Sequence, residues 1–312
     1  MAVAIGVDVG GTKIAAGVVD DEGHIVDARR EPTPEDPKGL QEAIAGVIAD
    51  LAREHQPVAV GVAIAGFVST DRSTVVSAPN LALEQSPLGQ LLSDRLALPV
   101  VVENDANAAA WGEHRFGSGR GSRDLLCVTI GTGVGGGVVV SGELVRGHWG
   151  FAAEVGHIPL VPDGRPCPCG SRGCWEQYGS GTALVRIARE LASGHRADAE
   201  FLLGLGDGTA DGIEGDHVTL AARKGDPIAL AAFEQAGAWN GRGLAVLARV
   251  LDPAVFVIGG GVSEAGELIL EPMRRVFAAM QPEGMGDATA DVRAATLGND
   301  AGIIGAADLA RR

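Results

Sequence analysis

The chain has 312 residues, a formal charge of −15, 46% hydrophobic residues and only 4% aromatic ones. That length and apolar share suffice for roughly two domains, with cores packed from Ala, Val, Leu and Ile rather than from rings. The negative field argues against non-specific nucleic-acid binding and against docking on an anionic membrane, both of which call for a basic surface.

Lysine occurs only at positions 13, 38 and 224. A phosphate ligand would therefore have to be held by backbone N–H groups and very few cations. The segment from Met1 to Asp8 has no basic leader region, and Asp8 interrupts its apolar run. No run approaches the ~18 apolar residues of a membrane span.

Residues 3–9 read as a buried strand, broken by Gly10-Gly11-Thr12 and resumed over 14–19 and 24–30. This predicts a glycine-turned antiparallel ribbon. After a loop marked by Pro32, Pro34 and Pro37, Leu40, Ile44, Val47, Ile48 and Leu51 recur at helical spacing up to Pro57. A second apolar strand, 58–64, ends at Ala65-Gly66. A third, 100–102, ends at Glu103-Asn104-Asp105 and leads into an alanine-rich helix from about Ala106. The second half starts in the same way. Val128-Thr129-Ile130-Gly131-Thr132-Gly133 followed by 135–140 can be laid over Val7–Thr12 followed by 14–19, which predicts an internal duplication. The Gly- and Asp-rich stretch 193–217 reads as a surface excursion. Asp226 and Pro227 read as an N-cap and a first helical position, with helices running on to Pro253. Strand 255–258 breaks into Gly259-Gly260-Gly261 and a further helix, and 301–307 is a small-residue helix suited to close packing.

Three glycine clusters thus stand directly after apolar strands, where they let backbone N–H groups approach phosphate oxygens. Gly131-x-Gly133-x-x-Gly136 formally matches the dinucleotide fingerprint, but a strand follows it where that fingerprint requires a helix, and the Gly-Lys-Ser/Thr ending of a P-loop is absent. A single glycine turn is ordinarily a hairpin. Three of them, the first flanked by Asp8 and Lys13, favour a phosphate cradle. Thr12 and Thr132 offer hydroxyls to phosphate oxygens, and a helix N-terminus after 259–261 could face one end of a nucleotide. Asp8 would approach Mg²⁺ through water, because that ion keeps much of its hydration shell.

Three of the four cysteines, Cys167, Cys169 and Cys174, fall within eight residues, and His157 precedes the first by ten. Zinc takes about four such ligands in a tetrahedron, whereas three clustered thiols cannot pair off completely as disulfides. Gly170 and Gly173 permit the tight turns the segment needs. These four residues are the expected ligands of one structural zinc, against the alternative of a loop with incidental thiols. Clustered thiols also point to a reducing cytoplasm.

Together these segments resemble the ROK family (repressor, open reading frame, kinase) of the sugar-kinase and actin-like ATPase superfamily, in its glucokinase branch. The resemblance is carried by Asp8–Lys13, Glu103-Asn104-Asp105, Ile130–Gly137, Glu154-Val155-Gly156-His157, the cysteine motif through Glu176, Gly259–Ser263 and the Ala-Gly-x-x-Gly-Ala-Ala tail. It implies a two-lobed, actin-like (ribonuclease H-like) α/β fold with mixed sheets flanked by helices. The smaller lobe would comprise 1–109 and 300–312, and the larger, zinc-containing lobe 110–299, with sugar at the floor of the cleft and ATP above. It further implies an ATP- and Mg²⁺-dependent glucokinase, phosphorylating the 6-hydroxyl of D-glucose and assembling as a homodimer or homotetramer.

The family pattern places the general base at Asp105, for which helix capping is the competing role. Asn104, Glu154, His157 and Glu176 match the family's sugar contacts, with Gly66 and Asn80 as further candidates. Asp8, Gly10, Gly11, Thr12, Lys13, Thr132, Gly133, Gly259, Gly260 and Gly261 are the nucleotide candidates. His157 could ligate zinc through one ring nitrogen and meet sugar with the other. The alternatives are a kinase for N-acetylmannosamine, N-acetylglucosamine or fructose, a polyphosphate-using kinase, and a non-catalytic sugar sensor. Against the sensor stand an intact Asp105 and a first strand that leaves no room for the N-terminal helix-turn-helix of the family's repressors.

Overall fold

The computed structural model describes residues 2–284 and 289–312. It opens with β1 (Ala4–Val9), β2 (Lys13–Val19) and β3 (Ile25–Pro32), paired antiparallel in sequence order as the glycine turn predicts. Helix α1 (Pro37–His55) follows. Asp36 caps it by accepting the Gly39 N–H, and its buried stripe is Leu40, Ile44, Val47, Ile48 and Leu51 with Ala45. β4 (Val60–Ile64) runs parallel to β1. Three short strands that the sequence pattern does not announce, β5 (Phe67–Val68), β6 (Val75–Ala78) and β7 (Leu83–Ser86), form a small sheet of their own, and α2 (Leu88–Leu96) follows. β8 (Val100–Asn104) pairs parallel with β4 and passes without a loop into α3 (Asp105–Arg115).

The chain continues with β9 (Leu125–Ile130), β10 (Val134–Val140) and β11 (Glu143–Leu144). Helices α4 (Glu176–Gly179), α5 (Gly181–Gly194), α6 (Glu200–Leu205), α7 (Gly215–Arg223) and α8 (Pro227–Leu251) come next. β12 (Val255–Gly259), α9 (Glu267–Ala279), β13 (Asp291–Ala294) and α10 (Ala301–Ala310) complete it. The two five-stranded sheets are ordered β3-β2-β1-β4-β8 and β11-β10-β9-β12-β13. Ranked along the chain, each reads third, second, first, fourth, fifth, so the weak sequence repeat is carried by the topology. The fold is mixed α/β with helix-flanked sheets.

The segment read as a surface excursion is partly structured. Leu202 and Leu203 of α6 and Ile213 are buried, but so short an apolar run shows no periodicity. Two compact units result: Met1–Cys127 with Gly136–Ala153 and Ala295–Arg312, and Val128–Gly135 with Glu154–Ala294. The first extends beyond 1–109 and 300–312. A division at residue 109 would cut α3, which runs unbroken to Arg115 and packs along α10.

That packing explains the small-residue tail. A Cβ on Gly6 would fall on the Ile303 carbonyl, one on Gly61 on that of Ala306, and one on Gly305 on that of Ala108. Only glycine lets these backbones meet. Within the contact, buried Asp308 accepts from Trp111 Nε1 at 2.8 Å and from Arg115 Nε at 3.0 Å, so the one acid on this helix is satisfied.

Candidate active site

Asp105 begins α3, yet it is Asn104 that caps the helix. Asn104 has the extended backbone of a cap (φ −61, ψ 143), and its Oδ1 accepts the Asn107 N–H at 3.0 Å. Its Nδ2 donates to the Gly66 carbonyl at 3.2 Å. The capping role that competed for Asp105 is therefore taken. Asp105 is half-buried and accepts the Ala106 N–H through Oδ1 at 2.9 Å. Desolvation raises its pKa, against the opposing pull of backbone N–H groups and the Asn104 side chain. A carboxylate with raised proton affinity and, among the described residues, no cation paired to it is suited to accept a proton.

Gly66 is fixed by packing as well: a Cβ there would lie 2.6 Å from the Ser77 carbonyl oxygen. Asn80 stands apart, exposed on a single 3₁₀ turn (Pro79–Leu81). Among the described residues no hydrogen bond joins it to Asn104 or Asp105. The sequence assigns Glu103 a place in the family motif but no role in the site; it is 1% exposed and directly precedes the Asn104–Asp105 pair. Its charged partners, Arg72 and Arg146, are remote in sequence, and the residue type alone gives no sign of burial.

Asp8 lies near the end of β1, in register with Ala15 and Ala63. Its carboxyl is raised to about 6, by desolvation first and then by the charge of Asp105, with Lys13 pulling the other way. Gly302, in the first turn of α10, leaves room beside it; a Cβ there would stand 3.4 Å from the Asp8 carboxyl carbon. An acid whose proton affinity is raised by burial and by a second acid beside it is relieved by a divalent cation, so Asp8 fits magnesium. The adjoining turn is pinned by Gly10 N–H to Lys13 carbonyl (3.0 Å), Thr33 Oγ1 to Gly10 carbonyl (2.7 Å) and Thr33 N–H to Thr12 carbonyl (3.1 Å). Gly11, Thr12 and Lys13 are exposed, with open space around Gly11.

In the second unit the Gly131-Thr132-Gly133 turn closes through Gly131 N–H to Gly133 carbonyl at 3.0 Å. The start of α5 holds it: Gly181 N–H donates to the Gly131 carbonyl (2.7 Å) and Thr182 Oγ1 to the Thr132 carbonyl (2.7 Å). Glu176, a sugar candidate by sequence, accepts the Val134 N–H at 3.1 Å through Oε2, and a Cβ on Gly133 would collide with that carboxylate. Thr132 is exposed.

Gly259 ends β12, and Gly260 (φ 82) passes so close to Ile130 that a Cβ would lie 2.5 Å from its carbonyl oxygen. The helix expected directly after this triplet starts only at Glu267. A 3₁₀ turn, Gly261–Ala265, comes first, with Ser263 N–H and Oγ donating to the Gly260 carbonyl (2.9 and 2.7 Å). Positive φ at both Gly260 and Gly266 breaks helical continuity. What adjoins the triplet is a single 3₁₀ turn, not the start of a full helix.

His157 Nδ1 and Cys167 Sγ are 3.7 Å apart, as are Cys169 Sγ and Cys174 Sγ, and all four donor atoms lie within 4.8 Å of one another. Tetrahedral zinc, with bonds of about 2.3 Å to sulfur and about 2.0 Å to nitrogen, has donor–donor edges near ~3.7 Å. The donor set and spacing fit. Cys167 N–H donates to the Ser171 carbonyl (2.8 Å), and Gly170 (φ 90) and Gly173 (φ 74) make the turns. The Ser171 backbone N–H holds the Cys169 thiol down to about 7, while burial pushes Cys174 up to about 12. Nδ1 is the His157 atom facing the thiols, which leaves Nε2 for another partner. Exposed Glu154 precedes this turn, and its carbonyl accepts the His157 N–H at 3.1 Å.

The ROK family profile matches residues 4–312. The glucokinase of Streptomyces coelicolor is 53% identical over 311 residues, spanning 100% of this chain and 98% of that protein. The glucokinase of Halalkalibacterium halodurans is 39% identical over 311 residues, spanning 96% and 92%. Among solved structures, that of a ROK family glucokinase from Streptomyces griseus in complex with glucose and AMPPNP is 52% identical, covers 99% of each chain and superposes with a TM-score of 0.90. A match that runs from β1 through α10 and holds at both levels, sequence and backbone, makes the chain a member of the ROK family.

Proposed function

We propose that the chain is an ATP-dependent glucokinase that phosphorylates the 6-hydroxyl of D-glucose. Full-length likeness to the Streptomyces glucokinases carries the reading, and the local chemistry at Asp105 supports it. As the sugar O6 attacks the γ-phosphorus, the O6–P bond forms and the bond to the bridging oxygen breaks, with its electron pair leaving on ADP. Asp105 takes the O6 proton; because Asn104 does the capping, that carboxylate is available. Such transfers have loose transition states, so the remaining work is positioning and charge neutralisation.

We assign phosphate contacts to the backbone of the 10–13, 131–133 and 259–261 turns, to Thr12 and Thr132, and to Lys13. Asp8 is the residue that would hold magnesium, which when bound neutralises the phosphates. Sugar hydroxyls need partners that both donate and accept, and Asn104, Glu154, His157 and Glu176 supply them. Glu176 would do so while holding the glycine turn. His157, Cys167, Cys169 and Cys174 would hold a structural zinc. Free thiols of this kind suit a reducing compartment such as the cytoplasm, and among the described residues no helix is long and apolar enough to cross a membrane.

A coupled assay of ADP release with Mg-ATP, run over a hexose panel, tests the proposal. Glucose should give the highest kcat/KM. A preference for N-acetylmannosamine, or no release with any hexose, would overturn it.

A further inference from the structure

Glu103 is a carboxylate almost wholly removed from water, and its two oxygens join the segment that presents Asp105 to two arginines. Its Oε1 accepts the Asn104 N–H at 3.0 Å and the Asn107 Nδ2 at 3.1 Å, so it touches both the residue before Asp105 and the first turn of α3. Its Oε2 meets Arg146 Nε at 2.8 Å and Arg72 Nε at 3.1 Å. The Arg146 guanidinium, 11% exposed, also donates to the carbonyls of Thr70 (3.0 Å) and Ser69 (2.9 Å), with Val68 at 3.5 Å. Those carbonyls belong to the turn joining β5 to β6, which Asp71 pins by accepting from the Ser69 hydroxyl and from Ser73 N–H. Arg72, in the left-handed region (φ 56), closes the circuit by accepting the Val102 N–H on its carbonyl at 2.8 Å.

One buried anion is thus shared between two guanidiniums and two amides, and it ties three segments together: the strand end at 102–104, the turn at 68–72 and the loop at 146–152. The loop bears on the same turn again, since a Cβ on Gly150 would collide with the Val68 carbonyl, and Phe151 packs edge-on against Phe67 at 5.1 Å. Phe67 adjoins Gly66, whose carbonyl takes the Asn104 amide.

Buried ion pairs are poor devices for stability alone, because desolvation offsets the attraction and apolar replacements are often as stable. Their better-attested use is to fix one geometry. An arginine gripping successive carbonyls with its planar fork does this, and lysine cannot. We propose that Glu103, Arg146 and Arg72 are positioning residues for phosphoryl transfer: a buried clasp that sets where the Asn104–Asp105 pair points. The effect is geometric. Neither arginine is among the causes of the Asp105 shift, so the clasp acts on the place of the carboxylate and not on its charge.

The inference rests on the glucokinase reading, and the test separates the two. Arg146→Lys keeps the charge and loses the fork. Arg72→Lys is a gentler second variant at a more exposed position. Glucose and ATP kinetics are measured beside amide exchange across 103–107. A misplaced base costs on the order of 10²-fold, so Arg146→Lys should lower kcat about 10- to 100-fold per folded molecule with the KM for ATP unchanged. Exchange at Ala106 and Asn107 should quicken at least about tenfold while the C-terminal half of α3 is unmoved. Wild-type kcat in both lysine variants, or a loss that vanishes once the folded fraction is counted, would overturn the clasp. So would exchange that rises uniformly along α3. A wild-type protein inactive on glucose would instead sink the glucokinase reading, and the exchange pattern would still decide the clasp.

Discussion

Asp105 owes its availability to its neighbour. With Asn104 serving as the cap, replacing Asp105 by Ala removes a proton acceptor and not a helix anchor. Asp105→Ala should therefore lose turnover by about 10²–10⁴-fold while the melting temperature and calorimetric glucose binding stay close to wild type. The reaction needs the ionised carboxylate, and burial raises its pKa. The acid limb of the kcat–pH profile should accordingly lie above the ordinary aspartate value of about 4 and be absent from the residual rate of the variant. Asp8 gives a stability counterpart. Its pKa is about 6 folded against 3.8 unfolded, so the folded state binds the extra proton. Stability from this group is fully present below about pH 4 and is lost as pH rises through 6. Without magnesium, Asp8→Asn should melt higher than wild type well above pH 6, by on the order of 1–3 kcal/mol, and the two should converge in acid. The strand end that leads into Asn104-Asp105 and the gathering of His157, Cys167, Cys169 and Cys174 were legible because their residue types and spacing are chemically specific. The cap on Asn104, the Glu176–Val134 bond and the Glu103 clasp were not, because each depends on where a remote backbone group comes to lie.

Among elements, α10 shows how composition encodes packing. Its glycines and alanines announced a close contact but not its partners, β1, β4 and α3, because the matching glycines at 6, 61 and 112 are separated from it by most of the chain. Gly305→Ala would drive a Cβ into the Ala108 carbonyl, so chemical melts should show a loss of at least about 2 kcal/mol. Gly46→Ala is the matched control. That position lies in α1 with nothing within 4 Å of a new Cβ, and the change should stabilise by about 0.4–1 kcal/mol. Strands β1 to β4 and α1 were readable because their apolar periods are long and bounded by Gly or Pro. Strands β5 to β7 were not, since two to four residues are too few to show a period.

For the whole molecule, the sheets' common strand order makes the glycine turns after β1 and β9 equivalent places in two repeats, which is why both read as phosphate loops. Only the second repeat carries the thiol knot. Elemental analysis should find one zinc per chain. Its removal by a chelator should lower the melting temperature and raise the glucose KM, since Glu176 follows Cys174 of the proposed zinc cluster so closely and also fixes the Gly133 turn. An unchanged KM in a zinc-depleted, folded sample would separate the knot from sugar binding. The position of α10 has a further consequence. On the ribosome, β1 and β4 emerge long before the helix that covers them, so one apolar flank of the first sheet must wait, shielded by chaperones or loosely collapsed, until residues 301–310 arrive. A circular permutant opening at residue 295 would place that cover next to β1 in sequence, and the shorter separation of α10 from β1 and β4 should make it refold faster after dilution from denaturant.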